Sequence, residues 1–198
     1  MRHAATKHIF SYWRRLRGSE LAPERARLNP ADIGRYLTDM FLLEKDGTGD
    51  FRFRIAGSRI CALFGMELRN HSFSGLALPQ ADADIGEMLA ATTQDATPVI
   101  AGVSLILTDG MSVDAEMLLL PLLHKGEMDA RILGSLTFRT HERLAQGASA
   151  ALDVLSFRIL NDADARFLHP TEPDLPFDAR ISGRRGHLTV LEGGLQQA

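Results

Sequence analysis

At Met40 the hydrophobic period of this chain changes from helical to two, and that change limits the folds open to it. Met40–Glu44 and Phe51–Ala56 read as strands on either side of the turn-forming Asp46-Gly47-Thr48-Gly49. In the second strand Phe51, Phe53 and Ile55 share one face and Arg52 and Arg54 the other, the pattern of a half-buried antiparallel sheet. Three further strands are expected at Val99–Thr108, Met111–Leu120 and Arg131–Arg139. Asp109-Gly110 joins the first two as a hairpin, because both residue types tolerate positive φ. The Leu118-Leu119-Leu120 run is apolar on both faces, so that end belongs to a central, covered strand.

Helical spacing precedes and interrupts these strands. Ile9, Phe10, Trp13 and Leu16 form one stripe of a helix that Gly18 can end. An isolated helix of this length would not hold in water, so the stripe must bury against the domain or a second copy. Asn29-Pro30-Ala31-Asp32 opens a second helix, with Ile33, Tyr36 and Leu37 as its buried face. Ser58 is placed to cap a short helix through Ile60, Leu63 and Phe64 to Gly65. Ile85, Met88, Leu89 and Thr92 mark another helix before Pro98. Beyond Thr140 the signal weakens to a short strand at Val154–Leu160, a Pro-rich extended stretch from His169 to Pro176 and a basic Gly183–His187 turn before Leu188–Leu191. The expected organisation is an N-terminal helical extension over 1–39, a domain over 40–140 and a partly ordered extension over 141–198.

Composition excludes several classes. No apolar run nears the roughly eighteen residues a membrane helix needs, and the N-terminus lacks a long apolar region and cleavage site. Cys61 is the single cysteine, so neither an intrachain disulfide nor a cysteine-rich metal site can form. These features predict a cytoplasmic protein. Residues 1–27 carry seven basic and two acidic side chains, against fifteen and twenty-three in the other 171. Such a short basic arm reads as a solvated helix face rather than a nucleic-acid surface, which needs extended positive charge.

Two strands, short helices, then three strands give an α+β order, ββααβββ, whose sheet buries one face under the helices. That order resembles a PAS domain with a five-stranded antiparallel sheet and short helices on one face. In detail the chain resembles a family of small bacterial proteins made of a PAS domain with an N-terminal helical extension. The resemblance rests on Trp13-Arg14-Arg15-Leu16-Arg17-Gly18, Pro23-Glu24-Arg25, Asn29-Pro30-Ala31-Asp32-Ile33, the Phe51–Ser58 segment, Phe64-Gly65-Met66-Glu67-Leu68, Leu119-Leu120-Pro121-Leu122 and His187-Leu188-Thr189-Val190. It implies a sensory or regulatory role, a small-molecule pocket between sheet and helices, and PAS-type self-association. The Ile9, Phe10, Trp13 and Leu16 stripe makes the N-terminal helix the expected seam of a homodimer.

Within such a domain Phe53, Ile55, Ile60, Phe64, Phe73, Met88, Leu118 and Leu120 are candidates to line the pocket. The same residues would also fill a solid core, and only cavity volume separates the readings. Arg54 and Arg59 flank Ala56-Gly57-Ser58, where either could reach an anionic ligand or pair with a nearby acid. His71 lies in the loop expected to border the pocket. No cofactor is expected. The Ile85–Thr97 helix has no His or Cys for haem, and Cys61 is not in the context of a flavin-photoreceptor cysteine. The seven histidines lack zinc-site spacing, so no metal is expected. Nor is there a nucleophile motif, a phosphate loop or a dinucleotide fingerprint. The resulting expectation is a non-enzymatic regulatory module binding a small ligand or a signalling partner. The alternatives are a ligand-free adaptor and, further off, a small enzyme.

Overall fold

The computed structural model describes residues 1–138, 150–161, 184–185 and 188–189. By its contacts the chain divides into Met1–Leu168 and His169–Ala198. In the second unit Arg184–Arg185 pairs antiparallel with Leu188–Thr189. The expected extended stretch from His169 to Pro176 lies outside the described residues, as do Arg139 and Thr140.

The first unit is built on a six-stranded antiparallel sheet: β1 (Met40–Lys45), β2 (Phe51–Ala56), β3 (Val99–Leu107), β4 (Ser112–His124), β5 (Glu127–Phe138) and β6 (Ala150–Ile159), in the order β2-β1-β5-β4-β3-β6. The five expected strands form its contiguous part. β6 is longer than the Val154–Leu160 expected, and it adds to the sheet along the whole of β3. At the β3–β4 turn only Gly110 takes positive φ, while the Asp109 carboxylate accepts from the Met111 N–H at 2.9 Å. Pro121, which cannot donate, sits where β4 has run past the start of β3 and keeps β5 as its strand neighbour.

Two layers cover the sheet. On one face lie α3 (Ser58–Phe64) and α4 (Asp82–Thr93), packed over Leu43, Phe53, Val103, Met117 and Leu136. The cap of α3 is Gly57 rather than Ser58. Gly57 donates to the Met40 carbonyl at 2.7 Å, and any Cβ there would fall on the Thr38 carbonyl. Backbone proximity therefore demands glycine at this strand-to-helix junction.

On the opposite face lies α1 (Ala4–Arg17). Ile9, Phe10, Tyr12 and Trp13 are buried against Leu118, Leu120, Leu122 and Leu133, each contributing roughly 1.5–3 kcal/mol. The Trp13 indole donates to the Pro121 carbonyl at 2.8 Å, so the buried ring leaves no unsatisfied N–H. Arg14, Arg15 and Arg17 occupy the last turn, where positive charge suits the helix dipole. The burial that the stripe requires is thus supplied by the chain's own sheet.

From Gly18 the chain passes through a 3₁₀ turn (Arg25–Arg27) into α2 (Pro30–Ile33), capped by Asn29 accepting from Ala31 at 3.2 Å. Gly34, at φ +57°, ends α2 after one turn and a 3₁₀ segment (Gly34–Asp39) follows. That change of period breaks the expected buried face. Ile33 is buried and Tyr36 half-buried, but Leu37 is 41% exposed.

Candidate functional site

The sheet separates the residues expected to line one pocket. Phe53, Ile60, Phe64, Phe73 and Met88 come together on the α3/α4 face, all buried. There Phe41, Phe53 and Phe73 pack ring against ring at centroid distances of 5.5–5.8 Å, in tilted and offset arrangements that aromatic pairs favour. Gly134 on β5 makes room for them, since a Cβ there would overlap the Phe41 ring. Leu118 and Leu120 point to the other face, into the cluster under α1.

Ile55 also lies apart from Phe53, for a specific reason. Leu42 pairs with Ile55 but its neighbour Leu43 pairs with Phe53, so Arg54 is an extra residue in β2, a β-bulge. The bulge moves Ile55 to the α1 side, where it is 54% exposed beside Leu42. The expected shared face of Phe51, Phe53 and Ile55 therefore ends at Phe53. His71 is exposed, and its contribution is a backbone carbonyl that accepts from the Phe53 N–H at 3.0 Å. With Asn70 donating to the Phe53 carbonyl and Phe73 to that of Phe51, this segment pairs the outer edge of β2.

Both flanking arginines have acidic partners. Arg59 grips the buried Asp39 carboxylate with contacts of 2.6 and 2.7 Å, and Arg54 lies 3.5 Å from Glu44. Glu44 also accepts from Arg131 at 2.8 Å. On the β1–β2 turn the Arg52 guanidinium, helped by the Thr48 hydroxyl and N–H, holds the Asp46 carboxyl well below the usual carboxylate range. Burial pushes the Cys61 thiol up, and it lies 3.4 Å from Glu67, both of which disfavour a reactive thiolate. Among the described residues no cluster of His, Cys, Asp and Glu could hold a metal ion.

A broad hollow lies on the α1 side, beside the bulge. It is an open groove of about 680 Å³ lined by five permanent cations, Arg25, Arg54, Arg69, Lys125 and Arg131, with His124 and a single carboxylate, Glu24. Local structure sets each of these in place. Lys125 and Gly126, at φ +56° and +82°, form the two-residue β4–β5 turn, the geometry that matches strand twist. The Pro23-Glu24-Arg25 segment is clamped to that turn. Its Pro23 carbonyl accepts from Leu123 at 3.0 Å and its Glu24 carboxylate accepts from Gly126 at 2.8 Å.

Charge within the groove is unevenly compensated. Arg54 and Arg131 share Glu44, and Glu24 is engaged with Gly126. Arg25, Arg69 and Lys125 have no side-chain hydrogen bond or ion pair among the described residues. Guanidinium and ammonium groups lining one groove can bind an oxyanion through charge-assisted hydrogen bonds. Of the residues singled out in the sequence, Arg54 and Ile55 line this groove. Arg25, Arg69, Lys125 and Arg131 were not singled out as ligands; the one advance signal was the Pro23-Glu24-Arg25 turn.

No helix of the described residues is long and apolar enough to cross a membrane. Among curated proteins none matches the sequence. A family profile described as PAS domain matches residues 1–137, more than half of the chain, from before α1 to the penultimate residue of β5. With its antiparallel sheet running β2-β1-β5-β4-β3 and with α3 and α4 packed on one face, the chain belongs to the PAS domain family.

Proposed function

We propose that this chain is a non-catalytic sensory or regulatory PAS module whose ligand is an anion held in the groove beside the β2 bulge. One observation carries the reading: Arg25, Arg69 and Lys125 stand uncompensated around a groove in a body that is otherwise net acidic. The interior face, by contrast, is occupied by the Phe41–Phe53–Phe73 cluster. An anion bridging Arg25 to Arg69 or Lys125 would bind the segment after α1 to the β4–β5 turn and the β2 edge. Occupancy would then alter how that segment, and the surface around it, meets a signalling partner.

Thermal unfolding in sodium phosphate, compared with sodium chloride at equal ionic strength, tests this. Phosphate should raise the melting temperature of the native protein, and Arg69→Ala should abolish the increase. An equal increase in the variant, or none in either protein, contradicts the reading. The aromatic packing also favours a second reading, an adaptor acting through its surface with no small ligand. Under that reading phosphate has no effect, and groove substitutions alter only capture of a partner protein.

A further inference from the structure

Beside the basic groove lies a smaller apolar recess of about 140 Å³, walled by Ile33, Leu37, Met40 and Leu133. The two hollows have Arg25, Leu42 and Ile55 in common, so they adjoin. From this juxtaposition we infer that the anion is amphipathic, with an oxyanion head at Arg25 and a short alkyl chain in the recess. The inference rests on the anion reading above and adds the chemistry of the rest of the ligand.

Each part follows from a physical demand. Leu37 and Ile55 are large apolar side chains left 41% and 54% exposed at the mouth of the recess, and an alkyl chain would take their surfaces out of water. Arg25 lines both hollows, and a guanidinium can hold a carboxylate or phosphate head in a two-pronged contact while the chain turns inward. Volume bounds the chain length. At about 30 Å³ per water-sized group the recess accepts about five methylene-sized groups. The exposed position of Ile55 is itself a product of the Arg54 bulge, which turns one apolar residue of β2 out of the core and toward this site.

Isothermal titration with sodium acetate, butyrate, hexanoate and decanoate, and separately with inorganic phosphate, tests the inference. Affinity should rise about fourfold per added methylene and stop rising near hexanoate, as the recess fills. Leu37→Gln, polar but uncharged and at an exposed position, should remove the dependence on chain length and leave phosphate binding intact, while Arg25→Gln should weaken every anion. Binding of phosphate with equal affinities for acetate and hexanoate overturns the amphipathic ligand but leaves the anion reading standing. Affinity still climbing steeply through decanoate overturns the bounded recess. Failure of phosphate and hexanoate alike overturns both readings.

Discussion

The two faces of this sheet both bury large apolar side chains, more of them under α3 and α4 than under α1, and they finish the job differently. Over one face α3 and α4 close on a continuous core of aliphatic and aromatic residues. Over the other α1 covers Leu118, Leu120, Leu122 and Leu133, and the cover ends before β1 and β2, where a groove and a recess remain. The difference shows how one added residue relocates a site. The Arg54 bulge removes Ile55 from the closed face, adds it to the open one, and lets basic residues from four separate segments gather around it.

If the faces are equally structural, truncating the largest side chain on each should cost alike. Trp13→Ala and Phe53→Ala are each expected to lose about 3–5 kcal/mol in denaturant unfolding, the range for emptying a buried aromatic site. A small loss for Trp13→Ala beside a large one for Phe53→Ala would mark α1 as a loosely held accessory rather than an equal layer of the fold. Gly57→Ala should cost about 1–3 kcal/mol by overpacking the junction of β2 and α3 against Thr38. A stability equal to the native protein would mean that the junction relaxes freely. Leu37→Glu, on the open face, should change stability by no more than about 0.5 kcal/mol, as expected of an exposed position outside the core.

The smallest effect concerns pH. The Asp46 carboxyl is depressed in the folded state, so its contribution is present above the ordinary aspartate value of about 3.9 and lost only as pH falls through the lower folded value. A carboxyl-carbon NMR titration should show Asp46 still ionised where exposed carboxylates have protonated. Protonation near the ordinary value would mean that Arg52 exerts no hold in solution.

Much of this fold was legible because its signals are local. Alternation in Phe51-Arg52-Phe53, the Asp109-Gly110 turn and the Ile9, Phe10, Trp13, Leu16 stripe each state a period or a backbone requirement within a few residues. The bulge was not legible, because FRFRIA alternates without interruption and the extra residue shows only in its pairing with β1. The same limit hid the opposite facing of Leu118 and Phe53, since which face a strand shows to which helix is decided by neighbours far along the chain. The groove left still less trace. Arg25, Arg69, Lys125 and Arg131 come from four segments, and apart from the Pro23-Glu24-Arg25 turn nothing in the sequence around them marks them as neighbours.

Mapping where a small amphipathic anion binds decides between the open and the closed face of the sheet. Amide chemical-shift changes on titrating sodium hexanoate into the labelled protein should concentrate at Arg25, Leu37, Ile55, Arg69 and Lys125. Phe64, Phe73 and Met88, on the closed face, should hold still. Changes gathered around Phe53, Phe64, Phe73 and Met88, with the groove residues unmoved, would place the ligand between sheet and helices and contradict the account.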